Sequence, residues 1–67
     1  MEKFDFYQNH AILYNESDEQ TRQASREHWQ KIHAENVKSG RADMVMFSAR
    51  LLADMAMIDA GKYADLF

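Results

Sequence analysis

Three histidines, eleven acidic side chains and no cysteine are the main chemical resources of this 67-residue chain. His28 and His33 fall in one stretch of helical composition. Two imidazoles on a helix share a metal ion when they stand four residues apart. Here the spacing is five, which turns them about 140° from each other at about 100° per residue. Glu27 and Glu35 do not close the gap, and His10 has no partner near it in sequence. No metal site is read from this pattern, and without thiols no thiolate site is available either.

Asp43, Asp54 and Asp65 recur every eleven residues, and paired carboxylates can act as general acid and base. Eleven helical residues, however, rise about 16 Å. Carboxylates working on one glycosidic bond stand within about 10 Å of each other. The aligned aspartates are therefore expected to form a solvated strip. The sequence also shows no Ser/His/Asp or Cys/His set, no glycine-rich phosphate loop and no aromatic platform for RNA. The expectation is a non-enzymatic protein without a cofactor.

The spacing of eleven belongs to a repeat. Arg41-Ala42-Asp43-Met44-Val45-Met46-Phe47-Ser48-Ala49 is followed by Leu52-Ala53-Asp54-Met55-Ala56-Met57-Ile58-Asp59-Ala60, and Tyr63-Ala64-Asp65-Leu66-Phe67 begins a third copy. Eleven steps of about 100° overshoot three helical circles by about 20°, so each residue type stays on one face. With no proline and two glycines, and many strong helix formers, the chain reads as all-α.

Three helices are predicted within a single domain. A short one covers 5–15, with Asp5 as cap and Gln8 at the third helical position. Its stripe of Phe4, Tyr7, Ala11 and Tyr14 is joined by Phe6, Ile12 and Leu13, so the segment is apolar almost all round. A second helix covers 17–38, opened by the Ser17 capping box and closed by Lys38 and Gly40. It is mostly polar, with a thin apolar stripe from Ala24 or Ser25 through Trp29 and Ile32 to Val37. The third covers 41–60. Its short connection to the second predicts an antiparallel hairpin. Gly61 is expected to stop it, leaving 61–67 as a tail or turn.

The third helix carries two apolar faces. Met44, Phe47, Leu51, Met55 and Ile58 form one; Val45, Ala49, Leu52, Ala53, Ala56 and Ala60 form the other. Polar strips separate them, Asp43, Arg50 and Asp54 on one side and Ser48 and Asp59 on the other. Two apolar faces require two partners. A chain this small buries only about 60% of its unfolded surface, so self-association is the natural supplement. The alanine-rich face is the expected homodimer interface, with the third helices at the centre of a helical bundle.

Phe6, Tyr7, Tyr14 and Trp29, with Tyr63 and Phe67 of the tail, exceed what so small a core obviously needs. They are either core or the binding surface for a second, unidentified protein, since buried aromatics commonly anchor interfaces. Arg22, Arg26, Lys31, Lys38 and Arg41 give the middle of the chain a positive excess, yet the formal net charge is -3. That balance argues against a nucleic-acid partner, whose affinity rests on neutralising phosphates. The start Met1-Glu2-Lys3-Phe4-Asp5 lacks the pattern of a secretory signal, and no apolar stretch is long enough to span a bilayer, so a cytoplasmic protein is expected.

Tyr63-Ala64-Asp65-Leu66-Phe67 resembles the short peptides by which bacterial proteins bind the DNA sliding clamp, which read Gln-x-[Asp/Ser]-Leu-Phe. Tyr63 stands where those peptides carry glutamine, and the eleven-residue repeat alone accounts for Ala-Asp-Leu. In size and composition the whole chain also looks like inhibitors and adaptors carried by bacteriophages and other mobile elements. The function expected is an inhibitor or adaptor that binds another protein. A nucleic-acid-associated regulator, a carrier of a clamp-binding tail and a structural assembly subunit are the alternatives.

Overall fold

The computed structural model describes residues 5–67; Phe4 and its expected place in the first stripe lie outside them. The described chain is all-helical: α1 spans Phe6–Glu16, α2 Glu19–Ser39 and α3 Ala42–Asp59, followed by a 3-10 turn at Tyr63–Leu66. No helix among the described residues is long and apolar enough to cross a membrane.

Local polar contacts set both ends of α1 and α2 and the end of α3, whereas Arg41 opens α3 with no side-chain cap. Asp5 opens α1 by accepting from the Gln8 backbone N–H at 3.2 Å. The Ser17 hydroxyl closes α1 by donating to the Leu13 carbonyl at 2.8 Å. This corrects the expectation for Ser17, which ends α1 where the sequence suggested it starts α2. Asp18 performs the second role, its carboxylate accepting from the Thr21 N–H at 2.8 Å. That bond, made by the backbone of Thr21, also holds the Asp18 carboxyl below its usual range. Arg22 then reaches back from α2 to the open end of α1, donating to the Tyr14 carbonyl at 3.1 Å and the Asn15 carbonyl at 2.9 Å. The Tyr14 carbonyl also accepts from the Ser17 backbone N–H at 3.1 Å, so Arg22 adds a side chain of the next helix to the carbonyls at the end of α1.

Gly40 closes α2 with φ of 73°, its N–H reaching the Asn36 and Val37 carbonyls. The end of α3 is a Schellman motif. Gly61, at φ 78°, donates to the Ile58 carbonyl at 3.0 Å, and Lys62 donates to that of Met57 at 2.9 Å. The chain reverses there and lays Tyr63 and Leu66 against the core. Residues 61–67 are therefore a turn, separate from α3.

The core consists of Ala11 and Tyr14 from α1 and Leu51, Met55 and Ile58 from α3, with Phe47, Tyr7 and Trp29 packed around them. Leu51 is fully buried. α1 and α2 both pack on α3, and on the same side of it. The α2 stripe is shallower than its sequence suggested: Trp29 and Ile32 are half-buried, whereas Ala24 and Val37 lie on the surface. No residue of α2 is fully buried.

Candidate interaction surface

With α1 and α2 on one side of α3, the opposite side is left open. Ala49, Ala53, Ala56 and Ala60 are exposed there, and Val45 and Leu52 are half-buried at its edge. Met46 joins them at 73% exposure. From Val45 to Ala60 the stripe runs about 22 Å at 1.5 Å per residue. Its side chains are small, so another helix backbone can approach closely. The six residues expected to form an interface lie on or beside this open face, although Leu52 also leans on the core.

The aromatic residues divide between core and surface. Tyr14 is in the core, 3% exposed, and offers no surface to a partner; this departs from its expected place in a binding set. Tyr7, Trp29 and Tyr63 are half-buried against the core. Phe6 is partly exposed, and so is Phe67, whose ring meets Tyr63 edge-on with centroids 5.3 Å apart. Phe6, His10, Trp29 and Phe47 form a closed ring of contacts, each neighbouring pair 5.4–6.2 Å apart. Sequence spacing pairs only Phe6 with His10, four residues apart on α1; the other contacts join three helices.

Each polar strip of α3 flanks the core face and is covered in part: Ser48 and Asp54 are buried, whereas Asp43, Arg50 and Asp59 stay exposed. On one side, α2 brings His33 Nδ1 to 2.7 Å from the Ser48 hydroxyl, with Asn36 bonding the Met44 carbonyl at 3.1 Å and Ser48 at 3.3 Å. Ser48 lies 3.0 Å from the Met44 carbonyl and 3.2 Å from that of Val45. A serine in a helix commonly donates backward in this way. We assign the His33 proton to Nδ1, donating to Ser48, on the basis of this network. A serine paired with histidine invites a nucleophilic reading, but here the hydroxyl is fully buried and its proton is held by its own helix. The group fastens α2 to α3.

Nearer the end of α3, the Tyr14 hydroxyl lies 2.9 Å from both oxygens of Asp59. Arg26 donates to Tyr14 at 2.9 Å and to Asp59 at 3.0 Å, and its other terminal nitrogen pairs with Glu19 at 2.7 Å. Burial raises the Tyr14 pKa, Arg26 opposes the rise and Asp59 adds to it. The Arg26 pKa is raised, first by Glu19 and then by Tyr14. Arg22 lies 3.7 Å from Asp59. Two of the five basic residues of the middle segment are therefore engaged inside the molecule.

No known family model, curated protein or solved structure matches this chain. The surface has to be read from its own chemistry.

On the other strip, Asp54 is buried, which corrects the expectation that it is solvated like exposed Asp43 and Asp65. Its Oδ2 accepts from Arg50 Nε at 3.3 Å, and the Arg50 guanidinium lies over the Tyr7 ring at 4.5 Å. His28 is exposed beside Trp29, apart from His33. Among the described residues no three His, Asp or Glu side chains converge as metal ligands do.

Proposed function

We propose that the chain is a non-enzymatic protein-protein interaction module, a homodimer that acts in the cytoplasm by binding and blocking, or bridging, another protein. The observation that carries this reading is the uncovered apolar face of α3. A stripe of alanines flanked by Val45, Leu52 and Met46 is costly to leave in water, and its small side chains suit a two-fold contact of α3 with its copy. In this arrangement α2 and α3 act as an antiparallel hairpin, and paired α3 helices form the centre of the bundle. The partner protein is met by the remaining exposed aromatics, Phe6 and Phe67, with affinity concentrated in a few such anchors.

The engagement of Arg22 and Arg26 within the chain supports a protein partner over a phosphate backbone. In the clamp-like tail Leu66 is turned onto the core, which also favours the helical surface as the place of binding. Sedimentation of the wild-type chain and of Ala53→Glu tests the dimer. We expect a wild-type dimer and a monomeric variant, because the substitution places a charge on the shared face. A wild-type monomer at high concentration, or a variant that dimerises as well as the wild type, overturns the reading.

A further inference from the structure

A cavity of about 300 Å³ opens between the first turns of α1, the middle of α3 and the C-terminal turn, with no residue of α2 in its lining. Tyr7, Ala11, Leu66 and Phe67 give it apolar walls, and Arg50 and Asp54 supply charge. The size is at the lower limit of ligand pockets and suits one slim group.

The carboxylate of Asp54 decides which group. Its side chain is only 9% exposed, whereas that of Arg50, its partner, is 56% exposed. Only Oδ2 is bonded to Arg50; among the described residues nothing donates to Oδ1. Oδ1 is not sealed from water, so a donor entering the cavity can reach it, and a carboxylate this far buried gains from a donor on its second oxygen. Asp5 lies at the same cavity, so its charged side chains sum to one negative charge, two aspartates against one arginine. The Tyr7 ring has Arg50 over one face, and aromatic walls also favour a cation.

We infer that this cavity is a binding site for a primary ammonium group on a short apolar stem, with Asp54 as its counter-ion and Tyr7, Leu66 and Phe67 holding the stem. The site is independent of the dimer face. Its ligand is either a free alkylamine or a lysine side chain presented by another protein.

Titration of the full chain with n-butylammonium, followed by two-dimensional NMR, tests the site. Affinity is expected on the order of millimolar for so small a ligand, with saturable shifts at Tyr7, Gln8, Arg50, Asp54, Leu66 and Phe67. Butyrate, with the same stem and opposite charge, should leave these signals unmoved. Asp54→Asn keeps the shape and removes the charge, and should weaken binding about tenfold or more; Asp43→Asn, on the exposed part of the strip, should not. A blocked lysine peptide in place of butylammonium separates the two sources, because tighter binding of the peptide assigns the site to a protein-borne lysine and equal binding to a free amine. The proposal falls if neither cation produces saturable shifts, if butyrate binds equally, or if a folded Asp54→Asn binds as well as the wild type. The comparison of butylammonium with butyrate needs no variant and decides the question even if Asp54→Asn fails to fold.

Discussion

The Tyr14 hydroxyl on α1 bonds the Asp59 carboxylate at the last turn of α3, 2.9 Å from both of its oxygens. Arg26 of α2 reaches the same two groups, so one phenol is the meeting point of all three helices. Tyr14→Phe keeps the ring in the core and removes only this junction. The expected loss is about 1–2 kcal/mol, since the hydroxyl bonds charged groups. Urea unfolding of the two proteins checks it; equal midpoints would show that the junction adds nothing.

His10 predicts a response to acid. Its Nδ1 is buried without a hydrogen-bond partner, and its ring stacks with Phe6 and Tyr14 and meets Trp29 edge-on. Burial lowers its pKa from 6.5, with Asp54 partly opposing. The folded state thus favours neutral imidazole, and the unfolded chain binds the proton first. Stability must fall as pH drops through 6.5 toward the lower folded value, because the unfolded state then holds more protons. Melting between about pH 7.5 and about pH 5.5 should show a lower Tm in acid, and His10→Phe should reduce that drop. An unchanged drop in the variant would assign it to other groups.

Asp18 and Ser17 can be separated by substitution. Asp18→Ala removes the cap of α2, whereas Ser17→Ala removes a bond at the end of α1. Circular dichroism should report the larger loss of helicity and Tm for Asp18→Ala. The depressed Asp18 carboxyl stabilises the fold above its ordinary pKa of 3.8, and this contribution is lost as pH falls through the lower folded value. Asp18→Ala should therefore approach the wild type in strong acid, whereas the effect of Ser17→Ala should persist. A larger effect of Ser17→Ala at neutral pH would restore Ser17 as the start of α2.

These caps also mark where sequence was informative. Asp5, Gly40 and Gly61 act through their own backbone neighbourhood, so their roles were readable from a few adjacent residues. Ser17 and Asp18 are adjacent residues that can both cap, and only the demands of α1 on Ser17 decide between them. The core face of α3 was legible from its 3.6-residue period, which placed Met44, Phe47, Leu51, Met55 and Ile58 together; only Met44, in the first turn of the helix, proves exposed. The burial of Ser48 and Asp54 was not legible. Polarity alone assigned Asp54 to solvent and left Ser48 in a strip between two apolar faces, while their burial depends on elements arriving from elsewhere in the chain, His33 and Asn36 at Ser48. The cavity at Asp54 is hidden for the same reason, because its walls come from three separated segments.

The reversal at Gly61 brings Leu66 and Phe67 to the same cavity as Asp5 and Tyr7, so the fold closes a loop of nearly its whole described length. The His33–Ser48 contact spans 15 residues, and closure from Asp5 to Leu66 spans about four times as many. Loop closure costs about 0.6 kcal/mol per doubling of length, or about 1.2 kcal/mol for this difference. The longer contact is therefore scarcely dearer at equilibrium. Its cost falls on the order of events, since the short loop joining α2 to α3 can close before the two ends of the chain find each other.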